Sequence, residues 1–561
     1  MTGVNMTTPW WQSAVFYQIY PRSFQDSNGD GIGDVPGVIS RLDYIAGLGV
    51  SALWVSPFFK SPMVDFGYDI SDYCDIDPLF GTMDDVKRLI SEAHKRNIRI
   101  VFDLVINHTS DQHPWFIEAR SSRDNPKHDW YLWTERKRRK PNNWVCQFEL
   151  KSAWHDNDAT DEWFLGTFTS HQPEVNWRNP ELKKAMYEVI RFWLDLGVDG
   201  FRMDVVNWYI KDDELRSNPF SWNANPDIFQ NHIYDRNRPE TLDICRDIRS
   251  IADEYEGDRV LIGEIFTRQS EIAARYQGKG LLSLAFNMNL LYQKWNPRAL
   301  SAALNRWYSL LPPDSWPNIT LSNHDQPRHG KRYFSRNPHI QKKRCQIAAM
   351  LLLTARGTPF IYYGEELGMI GGHISKKEIV DPTGKTFWPL PIGRDPERTP
   401  MQWDDSANAG FTAEGVRPWL PLQSDYAEVN ASVEQSDPAS LWSWYRNLLS
   451  LRHDSAVLSK GGFVFLADGR DGVISYVRTA QERFSGYDGG SFGTSGSTRR
   501  KESYQVQPGD MLIFLNFSSK RKRAELPRPA TVVLSNCVRE QEKKTLEKIL
   551  LEPYECLLLQ L

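Results

Sequence analysis

Three carboxylate side chains each follow an apolar stretch of the kind that forms a buried strand. They are Asp204 in GFRMD, Glu264 in LIGE and Asp325 in ITLSNHD. Arg202 lies two residues before Asp204, and side chains two apart on a strand share a face. A buried charge is costly unless it is matched by a partner. The arginine and aspartate are therefore either a structural ion pair that fixes the strand or part of a cluster of three carboxylates, which suits acid–base and nucleophilic chemistry.

Strand-like runs that could position these groups recur along the chain and alternate with helical periodicity. The predicted helices are Val38–Leu48, Met83–Arg96 with Thr82 as N-cap, and Glu181–Leu196. This alternation favours a parallel sheet, and eight strands would close it into a (β/α)8 TIM barrel of the α/β class, whose C-terminal face collects strand-end residues. The eight predicted strands are Val15–Phe24, Val50–Phe59, Ile98–Asn107, the run that begins at Val198, Val260–Phe266, Leu281–Met288, Asn318–Ser322 and Pro359–Tyr363.

Two parts of the chain depart from this alternation. Residues 109–178 contain seven tryptophans and no long periodic segment, which predicts a subdomain inserted after strand 3. From residue 466 short strand-like runs separated by turns predict a C-terminal antiparallel β-sandwich, with a Gly/Ser-rich loop at Ser485–Ser497. The predicted domains are thus the barrel (1–108 and 179–465), the insertion (109–178) and an all-β domain (466–561).

Composition narrows the classes of partner. The 561 residues carry a formal net charge of -4, which argues against nucleic acid as the main partner. The 21 tryptophans and 22 tyrosines fit a sugar ligand, whose faces are apolar and whose edges are hydroxyls, but they fit large aromatic cores equally well. We expect a monomer or a weak homo-oligomer.

The compartment is predicted from what the sequence lacks. No basic region followed by an apolar core begins the chain, and no apolar run approaches the length of a membrane span. The six cysteines are scattered without paired spacing, which is typical of free thiols in a reducing compartment. We expect a cytoplasmic protein with no membrane contact.

Taken in order, the motifs resemble those of glycoside hydrolase family 13, the α-amylase family, and within it the oligo-1,6-glucosidase and α-glucosidase group. Gln172-Pro-Glu-Val-Asn176 resembles a further motif of the group, with Glu and Val where Asp and Leu are usual. The other matching stretches are Asp103-Leu-Val-Ile-Asn107-His108, Gly200-Phe-Arg202-Met-Asp204, Gly263-Glu264, Ser322-Asn-His324-Asp325 and Arg398-Thr-Pro-Met-Gln-Trp403.

The resemblance implies a role for each carboxylate. Asp204 would be the nucleophile, Glu264 the general acid and base, and Asp325 a fixed carboxylate that holds sugar hydroxyls. A retaining glycosidase needs two such carboxyl groups roughly 5 Å apart, one ionised and one protonated. Arg202 could keep Asp204 ionised.

The resemblance also implies a site for the terminal glucose. Phe66, beside this set, is often Asn in the group. Val205, directly after the nucleophile, would lie at the edge of the site and favour α-1,6 linkages. The implied substrate-binding residues are Asp65, Tyr68, His108, Gln172, Arg202, Val205, His324 and Arg398.

An Asp- and Gly-rich stretch in the first loop alternates oxygen ligands with glycines, much like a calcium loop. A plain turn without an ion is the alternative reading. The resemblance implies a structural Ca²⁺ away from the carboxylates and no organic cofactor. The implied ligands are Asp26, Asn28, Asp30, the carbonyl of Ile32 and Asp34.

These implications predict an exo-acting, retaining α-glucosidase that cleaves terminal α-glucosidic bonds of short oligosaccharides such as isomaltose, with α-1,6 links preferred. Alternatives that keep the chemistry are a maltase that prefers α-1,4 links, and a sucrose isomerase or other transglucosidase. The choice between hydrolysis and transfer depends on water access near Gln326–Arg332. Trehalose-6-phosphate hydrolase would need a phosphate site that the sequence does not clearly show. A binding or transporter-associated relative usually lacks the carboxylates and has a membrane span.

Overall fold

The structure of the protein is a computed structural model that describes residues 8–222, 229–480, 506–539 and 546–561. The predicted loop Ser485–Ser497 lies outside these ranges. Among the described residues, no helix is long and apolar enough to cross a lipid bilayer.

Eight parallel strands form a nearly closed barrel, which confirms the predicted fold class. The strands are β1 (Phe16–Ile19), β2 (Ala52–Val55), β3 (Arg99–Leu104), β4 (Gly200–Met203), β5 (Val260–Gly263), β6 (Leu284–Ala285), β7 (Asn318–Thr320) and β8 (Thr358–Tyr362). Neighbouring strands pair in the order β6-β5-β4-β3-β2-β1-β8-β7, so that chain order is followed around the barrel.

The register of β3, β4 and β5 brings charged side chains to the same level of the barrel. Arg202 of β4 lies opposite Asp103 of β3 and Ile262 of β5. Several predicted runs extend beyond the strands, because their last residues turn out of the sheet at its C-terminal edge. Asp204 and Glu264 occupy the first position after β4 and β5, respectively. Strand geometry therefore brings them to the same edge of the barrel.

Helices cover the barrel, and the predicted N-cap Thr82 is found at the start of the helix Met83–Lys95. Thr82 forms a capping box with Asp85. The predicted helix Val38–Leu48 is instead two helices that meet at Arg41, and the first begins early because the Asp34 side chain caps it. The helices of the barrel and its loops are Trp10–Ser13, Val35–Ser40, Leu42–Leu48, Met83–Lys95, Pro114–Ala119, Pro180–Asp195, Thr241–Asp253, Ser270–Ala274, Met288–Leu291, Pro297–Leu310, His329–Arg332, Pro338–Thr354, Pro382–Phe387, Ala431–Ser436, Leu441–Asp454 and Ala456–Lys460.

The segment after β3 has a small sheet and core of its own. Its three antiparallel strands are Trp133–Glu135, Glu162–Leu165 and Trp154–Asn157, in that spatial order. Trp144, Trp154 and Trp163 are buried together beside this sheet. An isolated bridge between His108 and Glu174 ties the end of the segment to the residues that follow β3.

The C-terminal region is all-β among the residues described, as the sequence predicts. Its strands pair antiparallel in the order β9-β10-β11-β14-β12-β13. They bury a cluster of aliphatic side chains that includes Val477, Leu512 and Leu559. The strands are β9 (Gly462–Asp468), β10 (Val473–Thr479), β11 (Met511–Asn516), β12 (Lys522–Ser535), β13 (Leu546–Leu551) and β14 (Cys556–Gln560).

Candidate active site

One guanidinium joins the carboxylates at the ends of β4 and β5. Arg202 Nη1 lies 2.7 Å from Asp204 Oδ1 and 2.7 Å from Asp103 Oδ1, while its Nη2 lies 2.6 Å from Glu264 Oε2. All four side chains are buried. Because the guanidinium is planar and rigid, it fixes the two catalytic candidates side by side. A retaining glycosidase uses two neighbouring carboxyl groups of this kind.

Asp325 is held from another side by two arginines and a histidine. Arg398 Nη2 lies 2.8 Å and Arg394 Nη1 3.5 Å from Asp325 Oδ1, and His324 Nε2 lies 3.2 Å from Oδ2. Arg398 also donates to the carbonyl of His324. The sequence-predicted Arg398 therefore fixes the third carboxylate and the backbone that carries it. The side chain of Asp325 remains 23% exposed, so it is open to a ligand.

Tyr68 and His324 form a stacked pair next to these carboxylates. Their rings lie 5.6 Å apart and nearly parallel, and Tyr68 Oη lies 2.5 Å from His324 Nε2. The amide nitrogen of Gln18 lies 2.8 Å from His324 Nδ1. Because the amide nitrogen of Gln18 is a donor, His324 Nδ1 must accept. The proton of the neutral imidazole is therefore on His324 Nε2, towards Tyr68 and Asp325.

Asp65, His108 and Gln172 come together from three distant segments. Gln172 Nε2 donates to Asp65 Oδ2 at 3.2 Å and lies 3.2 Å from His108 Nε2. His108 Nε2 also lies 2.9 Å from the carbonyl of Tyr68. The backbone of Asp65 is fixed by Asp69, which accepts from the Asp65 N–H. The predicted polar side chains, Asp65, Tyr68, His108, Gln172, Arg202, His324 and Arg398, thus lie in one connected network around the carboxylates.

Arg394 is a residue of this network that the sequence reading missed. It contacts Asp65 and Asp381 at 2.7 Å each, and its guanidinium lies over the ring of Phe148 at 4.7 Å from the centroid. Arg394 lies four residues before Arg398 in the same polar stretch. Nothing in one sequence distinguished which of the two arginines reaches Asp65, since both are charged and the intervening turn decides their directions.

Burial and charge set the protonation of the buried groups. Burial raises the pKa of Asp204, and the Glu264 and Asp103 charges add to the rise, while Arg202 opposes it. Burial likewise raises the pKa of Asp103 to about 6 against the pull of Arg202. Burial also acts on Asp325, but His324, Arg398 and Arg394 outweigh it and lower the pKa of that carboxyl. The cluster around Arg202 therefore favours retaining one proton, and Arg202 reduces the rise in the pKa of Asp204 without cancelling it, which opposes the expectation that Arg202 keeps Asp204 ionised. Asp325 stays ionised.

Val205 has a strained backbone directly after Asp204. Its φ is 35° and its ψ 46°, in the left-handed region that β-branched residues rarely adopt. The side chain is 4% exposed, and the Val205 N–H points at Glu264 Oε2 at 3.4 Å. This turn links the predicted nucleophile to the short helix Val206–Trp208 and places Val205 beside both catalytic candidates.

The carboxylates of the first loop accept hydrogen bonds mainly from nearby backbone N–H groups. Asp26 accepts from the N–H groups of Asn28, Gly29 and Gly31, and Asp34 accepts from Ser27 and Gly37. Within the described ranges, no group of three or more His, Cys, Asp or Glu side chains is arranged to hold a metal. The donor types are nevertheless those that Ca²⁺ takes: carboxylate, amide and carbonyl oxygen.

Comparison with known proteins places this geometry in a family. The model of the α-amylase catalytic domain matches residues 18–461. The chain belongs to the α-amylase family, glycoside hydrolase family 13. The protein is therefore a glycoside hydrolase.

Similar proteins place the chain within the oligo-1,6-glucosidase and α-glucosidase group of the α-amylase family. A probable α-glucosidase of Rhizobium meliloti is 42% identical, over 84% of this chain and 87% of that protein. An oligo-1,6-glucosidase of Parageobacillus thermoglucosidasius is 39% identical, over 84% and 89%. A solved α-glucosyl transfer enzyme, XgtA, superposes with a TM-score of 0.88 at 35% identity, covering 99% of this chain and all of that one.

Proposed function

We propose that this member of the α-amylase family is an exo-acting, retaining α-glucosidase that removes terminal glucose from short α-linked oligosaccharides. The observation that carries the proposal is the Arg202 guanidinium, which holds Asp204 and Glu264 side by side. Two carboxyl groups so placed suit a double displacement. The names of the similar glucosidases support the substrate class.

The first displacement follows from the positions of the two carboxyl groups. Arg202 occupies Asp204 Oδ1, which leaves Oδ2 to attack the anomeric carbon. As the bond from that carbon to the glycosidic oxygen breaks, Glu264 gives its proton to the leaving oxygen. The result is a glucosyl ester on Asp204 and a free aglycone sugar. Asp325, kept ionised by its two arginines, would hold hydroxyls of the distorted ring.

The second displacement restores the enzyme. Glu264 takes a proton from water, the water oxygen attacks the anomeric carbon, and the ester bond to Asp204 breaks. Two inversions give α-glucose, the anomer of the substrate. The Arg394–Asp65 ion pair would bind the far edge of the terminal glucose and block extension of the chain there, which is the basis for proposing exo action.

Preference for α-1,6 links is the finer part of the proposal. Val205 is buried beside Asp204 and Glu264, and its branched side chain is stiff. It would crowd the second sugar of an α-1,4 glucoside, whereas an α-1,6 link has an extra rotatable bond that can route that sugar around it. The oligo-1,6-glucosidases among the similar proteins agree with this preference.

Glucosyl transfer is the second candidate, favoured by the structural similarity to the α-glucosyl transfer enzyme. A phosphorylated substrate is less supported, because the arginines of the Gln326–Arg332 stretch serve the protein itself. Arg328 donates to the carbonyls of Tyr363 and Glu397, and Arg332 to those of Pro327 and Gln293.

A substrate panel separates these candidates. Isomaltose, maltose, sucrose, trehalose and trehalose 6-phosphate are each incubated with the enzyme, and products are followed by NMR. The proposal expects α-glucose to appear first and isomaltose to give the highest kcat/KM. Isomaltulose or trehalulose from sucrose would support transfer instead. β-Glucose as the first product would exclude the retaining route.

The metal, the location and the assembly complete the proposal. Ca²⁺ would be held by Asp26, Asn28, Asp30, the Ile32 carbonyl and Asp34, where it would only stabilise the first loop. A cytoplasmic location is supported by the six cysteines, none of which forms a disulfide. A monomer or weak homo-oligomer is proposed, and sedimentation velocity over a range of concentrations tests it.

A further inference from the structure

Lys211 is a fully buried lysine that lies three residues after the helix Val206–Trp208. Its side chain is 2% exposed, yet its ammonium group finds three acceptors. These are the carboxylate of Glu174, which is 1% exposed, the carbonyl of Trp208, and Asn107 Oδ1 at 3.5 Å. An ammonium group has three donors and no acceptor. Each of its donors is therefore used, and each ties it to a different segment of the site.

The contact with Asn107 fixes which way that amide points. Only the amide oxygen can face an ammonium group, because an amide nitrogen is also a donor. The nitrogen, Asn107 Nδ2, then points to His108 Nδ1 at 3.2 Å. An amide donor requires an unprotonated ring nitrogen opposite it. His108 Nδ1 must accept, so the proton of the neutral ring lies on Nε2.

The surroundings of His108 agree with that tautomer. Burial lowers the pKa of His108 to about 3, so the ring is neutral in the working range of pH. His108 Nε2 lies 2.9 Å from the carbonyl of Tyr68, which can only accept. The amide nitrogen of Gln172 also lies 3.2 Å from His108 Nε2, but it donates to Asp65 Oδ2, so the Tyr68 carbonyl is the acceptor that decides the tautomer.

We propose that Lys211 is a positioning residue that sets the tautomer of His108 through the side chain of Asn107. Lys211 orients the Asn107 amide, the amide keeps Nδ1 free of a proton, and Nε2 keeps the N–H that it donates to the carbonyl of Tyr68, which fixes the ring beside the proposed glucose site. Glu174 balances the buried charge and joins Lys211 to the strand bridge with His108. The value of this fixed ring for binding glucose rests on the proposed function, whereas the tautomer itself does not.

The first test reads the tautomer without any substrate. Protein labelled with ¹⁵N in its histidine rings is studied by two-bond ¹H–¹⁵N NMR, and His108 is assigned by the signals lost in His108→Gln. The wild type is expected to show a protonated Nε2 and an unprotonated Nδ1. A protonated Nδ1 in the wild type would overturn the proposal whatever the enzyme's activity.

The second test removes the link in two independent ways. Asn107→Asp keeps the shape and still accepts from Lys211, but it offers His108 an acceptor, so Nδ1 should gain a proton. Lys211→Met/Glu174→Leu removes both charges together, which avoids leaving one unpaired. In it the amide is free to turn, and both tautomers should appear.

Kinetics distinguish positioning from a merely structural role. For the double variant, KM for isomaltose should rise about tenfold, the worth of one hydrogen bond, with a smaller change in kcat. Lys87→Met, in an exposed ion pair of the helix Met83–Lys95, is the matched control and should match wild type. If Asn107→Asp leaves both the ¹⁵N pattern and KM unchanged, the proposal fails. An inactive wild type with the expected tautomer would instead reject the proposed function and leave this inference standing.

Discussion

Arg394 and Asp65 lie 329 residues apart in the sequence and form an ion pair of 2.7 Å at the site. The same guanidinium reaches Asp381 and Asp325 and lies over Phe148 of the inserted segment. The loops that follow β2, β7 and β8 and the inserted segment therefore meet at one side chain. We propose that this ion pair closes one end of the site, so that only a terminal sugar fits there.

Arg394→Ala should raise KM for isomaltose by about 10- to 100-fold, because charge-assisted hydrogen bonds to Asp65 and Asp325 are worth about 1.5–3 kcal/mol. Steady-state kinetics measure the change, and Arg138→Ala, at an exposed position, is the control. Longer chains should also become substrates for internal cleavage. An unchanged KM with strict terminal cleavage would show that the ion pair does not close the site.

Asp204→Ala and Glu264→Gln should each lower kcat by at least about 10³-fold, because each removes a group needed in the transition state. The melting temperature should stay within a few degrees of wild type in Glu264→Gln, which keeps the hydrogen-bonding shape. Glu188→Gln, on an exposed helix face, is the control for the amide substitution. Near-native turnover by either site variant would remove that residue from the mechanism.

Val205→Ala and Val205→Thr should narrow the ratio of kcat/KM for isomaltose over maltose. Contacts of one or two methyl groups discriminate by about 1–3 kcal/mol, so the wild-type ratio should be roughly tenfold or more. Val433→Ala, at a 42% exposed position, provides the matched control. A wild type that prefers maltose, or a ratio untouched in Val205→Ala, would reject the linkage argument and leave the glucosidase proposal in place.

Two buried histidines should make the protein sensitive to acid. Burial lowers the pKa of His108 and of His324 to about 3, below the value of about 6.5 in an unfolded chain. The unfolded chain therefore binds more protons between these two values. The stabilising contribution is complete above pH 6.5 and is lost as the pH falls towards 3.

Each histidine should contribute a slope of up to about 1.4 kcal/mol per pH unit to the free energy of unfolding within that window. Urea titrations at pH 5, 6 and 7 measure the slope. His324→Gln should reduce it by the share of one histidine, while His339→Gln, on an exposed helix turn, should not. Equal slopes in wild type and His324→Gln would contradict the assignment of a neutral buried ring.

Chelation tests the proposed calcium loop. Excess EGTA should lower the melting temperature by about 2–5 °C, since an ion bound only to the folded state stabilises it by mass action. Asp30→Ala should abolish the effect of the chelator, whereas Asp405→Ala, at an exposed position, should preserve it. An unchanged melting curve in EGTA together with no calcium by elemental analysis would reject the site.

The strands and the three carboxylates could be predicted from the sequence because their signals are local. An apolar run that ends in a charged residue marks both a buried strand and the edge where it leaves the sheet, as at Asp204 and Glu264. The capping box at Thr82 is likewise a local signal, because it involves only the four residues from Thr82 to Asp85. The break at Arg41 was missed, since helical periodicity continues through it and the early start depends on the Asp34 side chain.

What the tertiary structure alone decided concerns partners that are distant in sequence. The sequence does not distinguish Arg394 from Arg398. The turn between them directs Arg394 to Asp65, whereas Arg398 binds Asp325. In the sequence Lys211 resembles a surface lysine, but in the folded protein it is buried and contacts Glu174 and Asn107. The physical reason is common to both cases: a buried charge persists only where the fold supplies opposite charge or hydrogen-bonding partners, and those partners come from segments whose approach is set by the closed barrel.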